Sequence, residues 1–413
     1  MGDLEGRRDS DPDDTGRAEN GRCALTRVLI VGGGIIGLAT AYQIHQLWPD
    51  AEAVVLEKDA DLAQQQSGHN SGVLHAGLYY APGSSKARLA VSGIREMTAF
   101  CRAHGIPHEI CGKLVVATDD SQIPRLRTLF ERGARNGLTG LRWLGPSEAR
   151  ALEPAVNAVA AVQVPEEGIV DYPAVCRALA ESITEAGGRV VLNARVEALH
   201  PRWVAETTAG TFEGDLLINC AGLQSVQIAR KAGAQVDIRI VPFRGEYFVL
   251  RPDRAHLVRN LIYPVPDPAF PFLGVHFTRH VDGSIEAGPN AALAFGTPEG
   301  RSALTFPGLW RFIAKYPRVC IDEMRRSGSR SLFAQALSRL VPDIRAADLA
   351  PGGAGVRAQA MRPDGTLVED FYFVDQPGAL HVLNAPSPGA TASLAIGREI
   401  VARLQPALAH AAS

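Results

Sequence analysis

At 413 residues, with 46% hydrophobic and 21% charged residues, the chain is too long for one small core and ordinary in composition for a globular protein. Its formal charge of −2 leaves no basic surplus to recommend a nucleic-acid partner. Six cysteines without a CxxC pair or metal-ligand spacing argue against a disulfide frame or a zinc site, and no apolar run approaches the roughly 18 residues of a membrane helix.

Residues 1–25 mix charge with Gly and Pro and read as a disordered leader, too acidic and polar for a secretory signal. The expectation is a cytoplasmic protein. Peripheral contact with the inner membrane stays open, since it needs no spanning segment. Order begins at "TRVLIVGGGIIGLATAYQIHQLWPDAEAVVLEKD". Val28–Val31 is a short buried strand, a helical pattern runs from Ile35 to about Leu47, and Ala53–Glu57 makes a second strand, giving a βαβ unit. Farther on, a helix with Val175, Leu179 and Ile183 on one face ends at Gly187-Gly188 and precedes a strand at Val190–Leu192. "DLLINCAGLQS" supplies another buried strand, Leu216–Asn219. From about 240 to 345 the pattern changes to antiparallel strands with Pro-rich turns, then helices from about 307. A strand near 380–384 and a Gly/Pro turn opening a last helix close the chain.

The first βαβ unit carries G-x-G-x-x-G at Gly32, Gly34 and Gly37. In that position the first glycine permits the tight turn, the second lets backbone approach a pyrophosphate, and the third lets the helix pack close to the sheet. Glu57, twenty residues after Gly37, ends the second strand where a carboxylate can accept from ribose hydroxyls. Strand, glycines, helix, strand and acid occur in the right order, so a dinucleotide site is expected. The motif alone does not separate NAD from FAD. Instead of further βα repeats, Glu57 is followed by the polar loop "SGHNSGVLHAGLYY".

That loop, the "INCAGLQS" strand end and the late turn "PSPGAT" together resemble the D-amino-acid oxidase superfamily of FAD-dependent oxidoreductases. Within it, "SGHNSGVLHAGLYYAPGSSKARL" (67–89), "GIVDYP" (168–173), "PFRGEYF" (242–248), "YPVPDPAFPFLGVHFT" (263–278), "GVRAQ" (355–359) and "NAPSPGATASLAIG" (384–397) resemble the L-2-hydroxyglutarate dehydrogenase/oxidase family, over nearly all the chain after residue 26. The resemblance implies an α/β (α+β) fold. A Rossmann-like FAD domain in three parts (26–105, 161–238 and 346–413) would interleave with a mixed antiparallel-sheet substrate domain in two (106–160 and 239–345). It implies oxidation of L-2-hydroxyglutarate to 2-oxoglutarate, with electrons passing to a quinone or oxygen.

For the cofactor, the resemblance implies contacts from Gly32, Gly34, Ile36, Gly37, Glu57 and Lys58. The polar loop adds Ser67, His69, Asn70, Ser71 and Gly72. Val196, Ala221 and Gly222 come from the middle of the chain, and Pro388, Gly389, Ala390 and Thr391 from the final turn, whose helix end would face the flavin. Non-covalent FAD is expected. No cysteine lies in that turn to make a thioether, and His69 is the residue that would carry a covalent link if one existed. An imidazole suits the task of taking the hydroxyl proton, and His75 and His276 are the two candidates. Arg244 and Arg357 are candidate clamps for two carboxylates, with Tyr263 as a hydroxyl donor. Lys86 and Arg88 are expected on a helix near the site, shaping the field that draws in a dianion.

Alternative readings remain at this point. An amine or amino-acid oxidase of the glycine or sarcosine type shares the scaffold, but its substrate would not call for paired histidines and a second arginine. A glycerol-3-phosphate dehydrogenase relative would need a basic phosphate cluster. A flavin-binding protein without turnover would not need polar groups on the cavity face.

Overall fold

The computed structural model describes residues 26–267 and 273–411; the expected leader lies outside the described residues. Val28, Leu29 and Ile30 are all fully buried, as a parallel strand covered on both faces requires. Their strand, Arg27–Val31, lies between Glu52–Leu56 and Leu216–Asn219, pairing in parallel with both. Arg189–Val191 extends the sheet on one side; Ala379–Asn384 and the antiparallel Tyr372–Gln376 extend it on the other. Helices Ile35–Leu47, Tyr172–Glu185 and Ser393–Ala411 pack together on this sheet. Gly37 is what lets the first helix sit so close, because a Cβ there would lie 2.0 Å from the Gly32 carbonyl oxygen.

A nine-stranded sheet forms the second layer system. Its centre is the long antiparallel pair Arg239–Leu250 and Leu349–Met361, with Phe243 opposite Arg357 and Gly245 opposite Gly355. Toward the other side run Ile285–Gly288, His276–Arg279, Leu261–Pro264, Lys113–Ala117, Ala160–Val164 and Arg142–Leu144. Two expected boundaries therefore move. Ala160–Val164 and Leu349–Met361 belong to this sheet, so the boundaries expected at 161 and 346 fall too early. A small sheet of Val73–Leu74, Gly168–Val170 and His108–Glu109 ties the polar loop between the two systems. Among the described residues, no helix is long and apolar enough to cross a membrane.

Candidate active site

A cavity of about 1290 Å³ runs between the two sheets, larger than the ~300–1,000 Å³ of an ordinary small-molecule pocket. At one end lie Gly32, Gly34 and Ile36, where the first strand turns into its helix. Gly32 holds φ at +108°, a conformation that strains any residue with a Cβ. The Glu57 carboxylate is fixed by two backbone donors, the N–H of Gly33 at 2.7 Å and of Asp59 at 2.8 Å. Ser67 reaches across to accept from the N–H of Ile35 at 2.9 Å, fastening the polar loop to the helix N-terminus. Lys58, His69, Asn70, Ser71, Val196, Ala221 and Gly222 line the same stretch, Lys58 in an ion pair with Asp59 at 2.7 Å. Gly37 and Gly72 lie behind the wall. Gly37 serves helix packing, and Gly72 (φ +64°) closes a turn in which its N–H donates to the Asn70 side chain at 2.8 Å.

The far end of the cavity is reached through Pro388, Gly389, Ala390 and Thr391. Thr391 fastens this turn to the loop: its hydroxyl accepts from the His75 N–H at 3.1 Å and meets the Tyr172 hydroxyl at 2.8 Å. His75 lines the cavity with Nδ1 at 3.6 Å from Glu167 Oε2. The same carboxylate accepts from the Ala76 N–H at 3.1 Å and pairs with the Lys113 ammonium at 2.5 Å. Lys113 and Glu167 side chains are 0% and 1% exposed, so this is a dry ion pair. Burial by itself would raise the Glu167 carboxyl, but the Lys113 charge and the His75 imidazole outweigh it and hold the pKa down to about 2. The Lys113 ammonium sits over the rings of Tyr79 and Tyr263, 4.6 and 4.8 Å from their centroids.

Strand pairing gathers the remaining groups. Leu261–Pro264 runs beside Lys113–Ala117 on one side and His276–Arg279 on the other, which brings Tyr263 against His276 with ring centroids 3.8 Å apart. His276 Nδ1 faces the Gly274 carbonyl at 2.8 Å; a carbonyl only accepts, so this nitrogen carries the proton and Nε2 is the acceptor. Burial drives the His276 pKa down to about 3, and it is neutral. Arg357 lines the cavity on the same face of its strand as Gly355 and Gln359; burial lowers its pKa, while the Tyr247 hydroxyl works the other way. Arg244 does not join them. Side chains alternate along a strand, so Phe243, Gly245 and Tyr247 face the cavity while Arg244 points away, 55% exposed and paired with Glu246 at 3.3 Å. The expected second clamp is thus corrected to a surface residue.

The sequence profile described as "FAD dependent oxidoreductase" matches residues 27–403. Among curated proteins, the chain is 47% identical to the L-2-hydroxyglutarate dehydrogenase of Indibacter alkaliphilus, covering 90% of this chain and 96% of that one. It is 43% identical to that of Escherichia coli K12 (92% and 93%) and 41% to the human mitochondrial protein (92% and 88%). The chain belongs to the FAD-dependent oxidoreductase family, on its L-2-hydroxyglutarate dehydrogenase branch. Among solved structures, the fold is similar to the dithionite-reduced, FAD-bound L-α-glycerophosphate oxidase of Mycoplasma pneumoniae, with a TM-score of 0.77 at 24% identity over 92% of this chain and 94% of that one. Glycine oxidase of Geobacillus kaustophilus gives 0.70 at 19%.

The residues present fit the family's cofactor. Glu57 is preset by two backbone bonds beside a glycine turn, where a dinucleotide ribose and pyrophosphate belong. The cavity then continues without interruption to the Pro388–Thr391 turn, where the flavin of this family of oxidoreductases would meet a helix end. Two residues of the site escaped sequence reasoning, Lys113 and Glu167. Lys113 opens a strand in which every residue is buried, so a cation sharing a face with Val115 and Ala117 was a legible signal. Glu167 stands in a turn just before "GIVDYP", and no periodicity marks it.

Proposed function

We propose that the chain oxidises L-2-hydroxyglutarate to 2-oxoglutarate with non-covalently held FAD, His75 taking the hydroxyl proton. The observation that carries the proton assignment is the His75–Glu167–Lys113 arrangement at the substrate end of the cavity. Bound FAD supplies a two-electron acceptor for the hydride that leaves C2. The Glu167 carboxylate, 3.6 Å from Nδ1, favours a proton on that nitrogen and so leaves the Nε2 lone pair of His75 for the substrate hydroxyl. His276, held neutral with its proton committed to the Gly274 carbonyl, is too weak a base for that task and serves as an acceptor in the pocket wall. Arg357 binds the carboxylate next to the reacting carbon, and Tyr263, fully buried between His276 and Lys113, shapes the pocket beside it.

The test is an anaerobic visible spectrum of the purified protein mixed with L-2-hydroxyglutarate, its D-enantiomer, glycerol 3-phosphate, sarcosine and L-lactate. Rapid bleaching of the flavin band by the L-diacid above all others is expected; bleaching by sarcosine instead would transfer the chain to the amine oxidases. The electron acceptor is a quinone or oxygen, and a quinone would be met at the surface of the inner membrane. Supporting a peripheral contact there, Trp310, Ile321, Met324 and Leu332 stand exposed on a group of helices, residues 298–337, that holds seven Lys/Arg against three Asp/Glu.

A further inference from the structure

Lys86 lines the substrate end of the cavity from the first turn of the helix Ser85–Ala103. Its ammonium stands 5.1 Å above the ring centre of Tyr80, and among the described residues no carboxylate forms an ion pair with it. Asp370, whose charge bears on it together with that of Glu369, is held by backbone donors: it accepts from the N–H groups of Ser85 at 3.0 Å, Lys86 at 2.9 Å and Phe371 at 2.8 Å. Asp370 thereby fixes the helix start, and with it the position from which Lys86 reaches inward. Burial draws the Lys86 pKa down to about 8, Asp370 and Glu369 partly offset this, and the Arg357 charge adds to it. Lys86 and Arg357, both lining the cavity, therefore sense one another's charge. Bringing like charges together in a desolvated pocket costs free energy that an anion recovers on binding.

Resting on the diacid reading above, we infer that Lys86 takes the distal carboxylate of the substrate and so selects a 2-hydroxy diacid over a monocarboxylic 2-hydroxy acid. Arg357 holds the carboxylate beside the reacting carbon. Lys86, a point charge on a flexible stem, holds the far one.

The test compares the unaltered chain with Lys86→Met and Lys86→Arg, using L-2-hydroxyglutarate and L-2-hydroxybutyrate, which differ in the distal carboxylate. Equilibrium binding of glutarate and butyrate, read from the perturbed spectrum of bound flavin, gives a second measure that needs no turnover. In Lys86→Met the preference for diacid over monoacid in kcat/KM is expected to fall roughly 10- to 100-fold, the worth of one charge-assisted contact, with a parallel loss in glutarate binding. Lys86→Arg should keep most of the preference. Equal losses for both acids would mark a structural role and overturn the inference, as would an unchanged preference. Failure of the unaltered chain to oxidise the diacid would take down the diacid reading and this inference together.

Discussion

Glu167 makes three connections with one carboxylate: the Ala76 backbone, the Lys113 ammonium and the His75 ring. Each limits the others, since a carboxylate pinned by a backbone N–H cannot follow a mobile imidazole. His75 itself is a simple deletion. His75→Asn should slow anaerobic flavin reduction by about 10²- to 10⁴-fold, the usual worth of a positioned base, with little change in thermal stability. Glu167→Gln is a different experiment, because it strands the buried Lys113 charge at a cost of about 3–5 kcal/mol. That variant should lose both Tm and rate. Adding Lys113→Met should restore stability without restoring rate, since the carboxylate that orients His75 is still missing. If stability and rate instead recover together, Glu167 acts on packing alone and has no hold on the base.

At the scale of elements, local signals and imposed ones separate cleanly. The first βαβ unit was legible because three signals agree: apolar strands, a glycine turn at Gly32 and Gly34, and a helix that the structure places at Ile35–Leu47. The strand Leu349–Met361 was not. Its sequence "LAPGGAGVRAQAM" holds a proline and three glycines and reads as a loop; its strand character comes from the ladder with Arg239–Leu250. The error at Arg244 has the same origin, because nothing local fixes which parity of that ladder faces the cavity. Once Arg357 is known to sit opposite Phe243, alternation decides that the odd-numbered residues of "PFRGEYF" face inward. The contrast is testable. Arg244→Ala should leave KM for the diacid within about twofold, since an exposed pair with Glu246 contributes little. Arg357→Ala should raise it by 10-fold or more, as loss of a charge-assisted contact does. Comparable effects from the two would mean that the side chains exchange places when substrate binds.

The whole molecule carries a pH dependence written by its buried histidines. Burial lowers the pKa of His45, of His276 to about 3 and of His381 to about 4. A histidine whose folded pKa lies below its unfolded value near 6.5 binds protons more readily in the unfolded chain, so its folded state loses ground as pH falls through that window. Between pH 7 and pH 5, His276 and His381 each cost on the order of 2 kcal/mol. His280 works in the opposite sense: although burial lowers it, the Glu286 carboxylate wins and raises its pKa, so its contribution is present at low pH and fades as pH rises through the raised value. One raised histidine does not offset three lowered ones. Glu167 adds a second stage, because its carboxyl, held at about 2 against an ordinary 4.5, loses its stabilising effect only as pH falls below about 4.5. The urea midpoint should therefore fall from about pH 6.5 downward as the histidines lose ground, and more steeply below about pH 4.5, where Glu167 joins them. Replacing His381, hydrogen-bonded between Asn219 and Gln376 at 3.2 Å on each side, by Gln should make the fall between about pH 6.5 and 4.5 shallower and keep the steepening below about 4.5. A slope between about pH 6.5 and 4.5 that survives unaltered in that variant would show that the acid sensitivity is generated elsewhere in the fold.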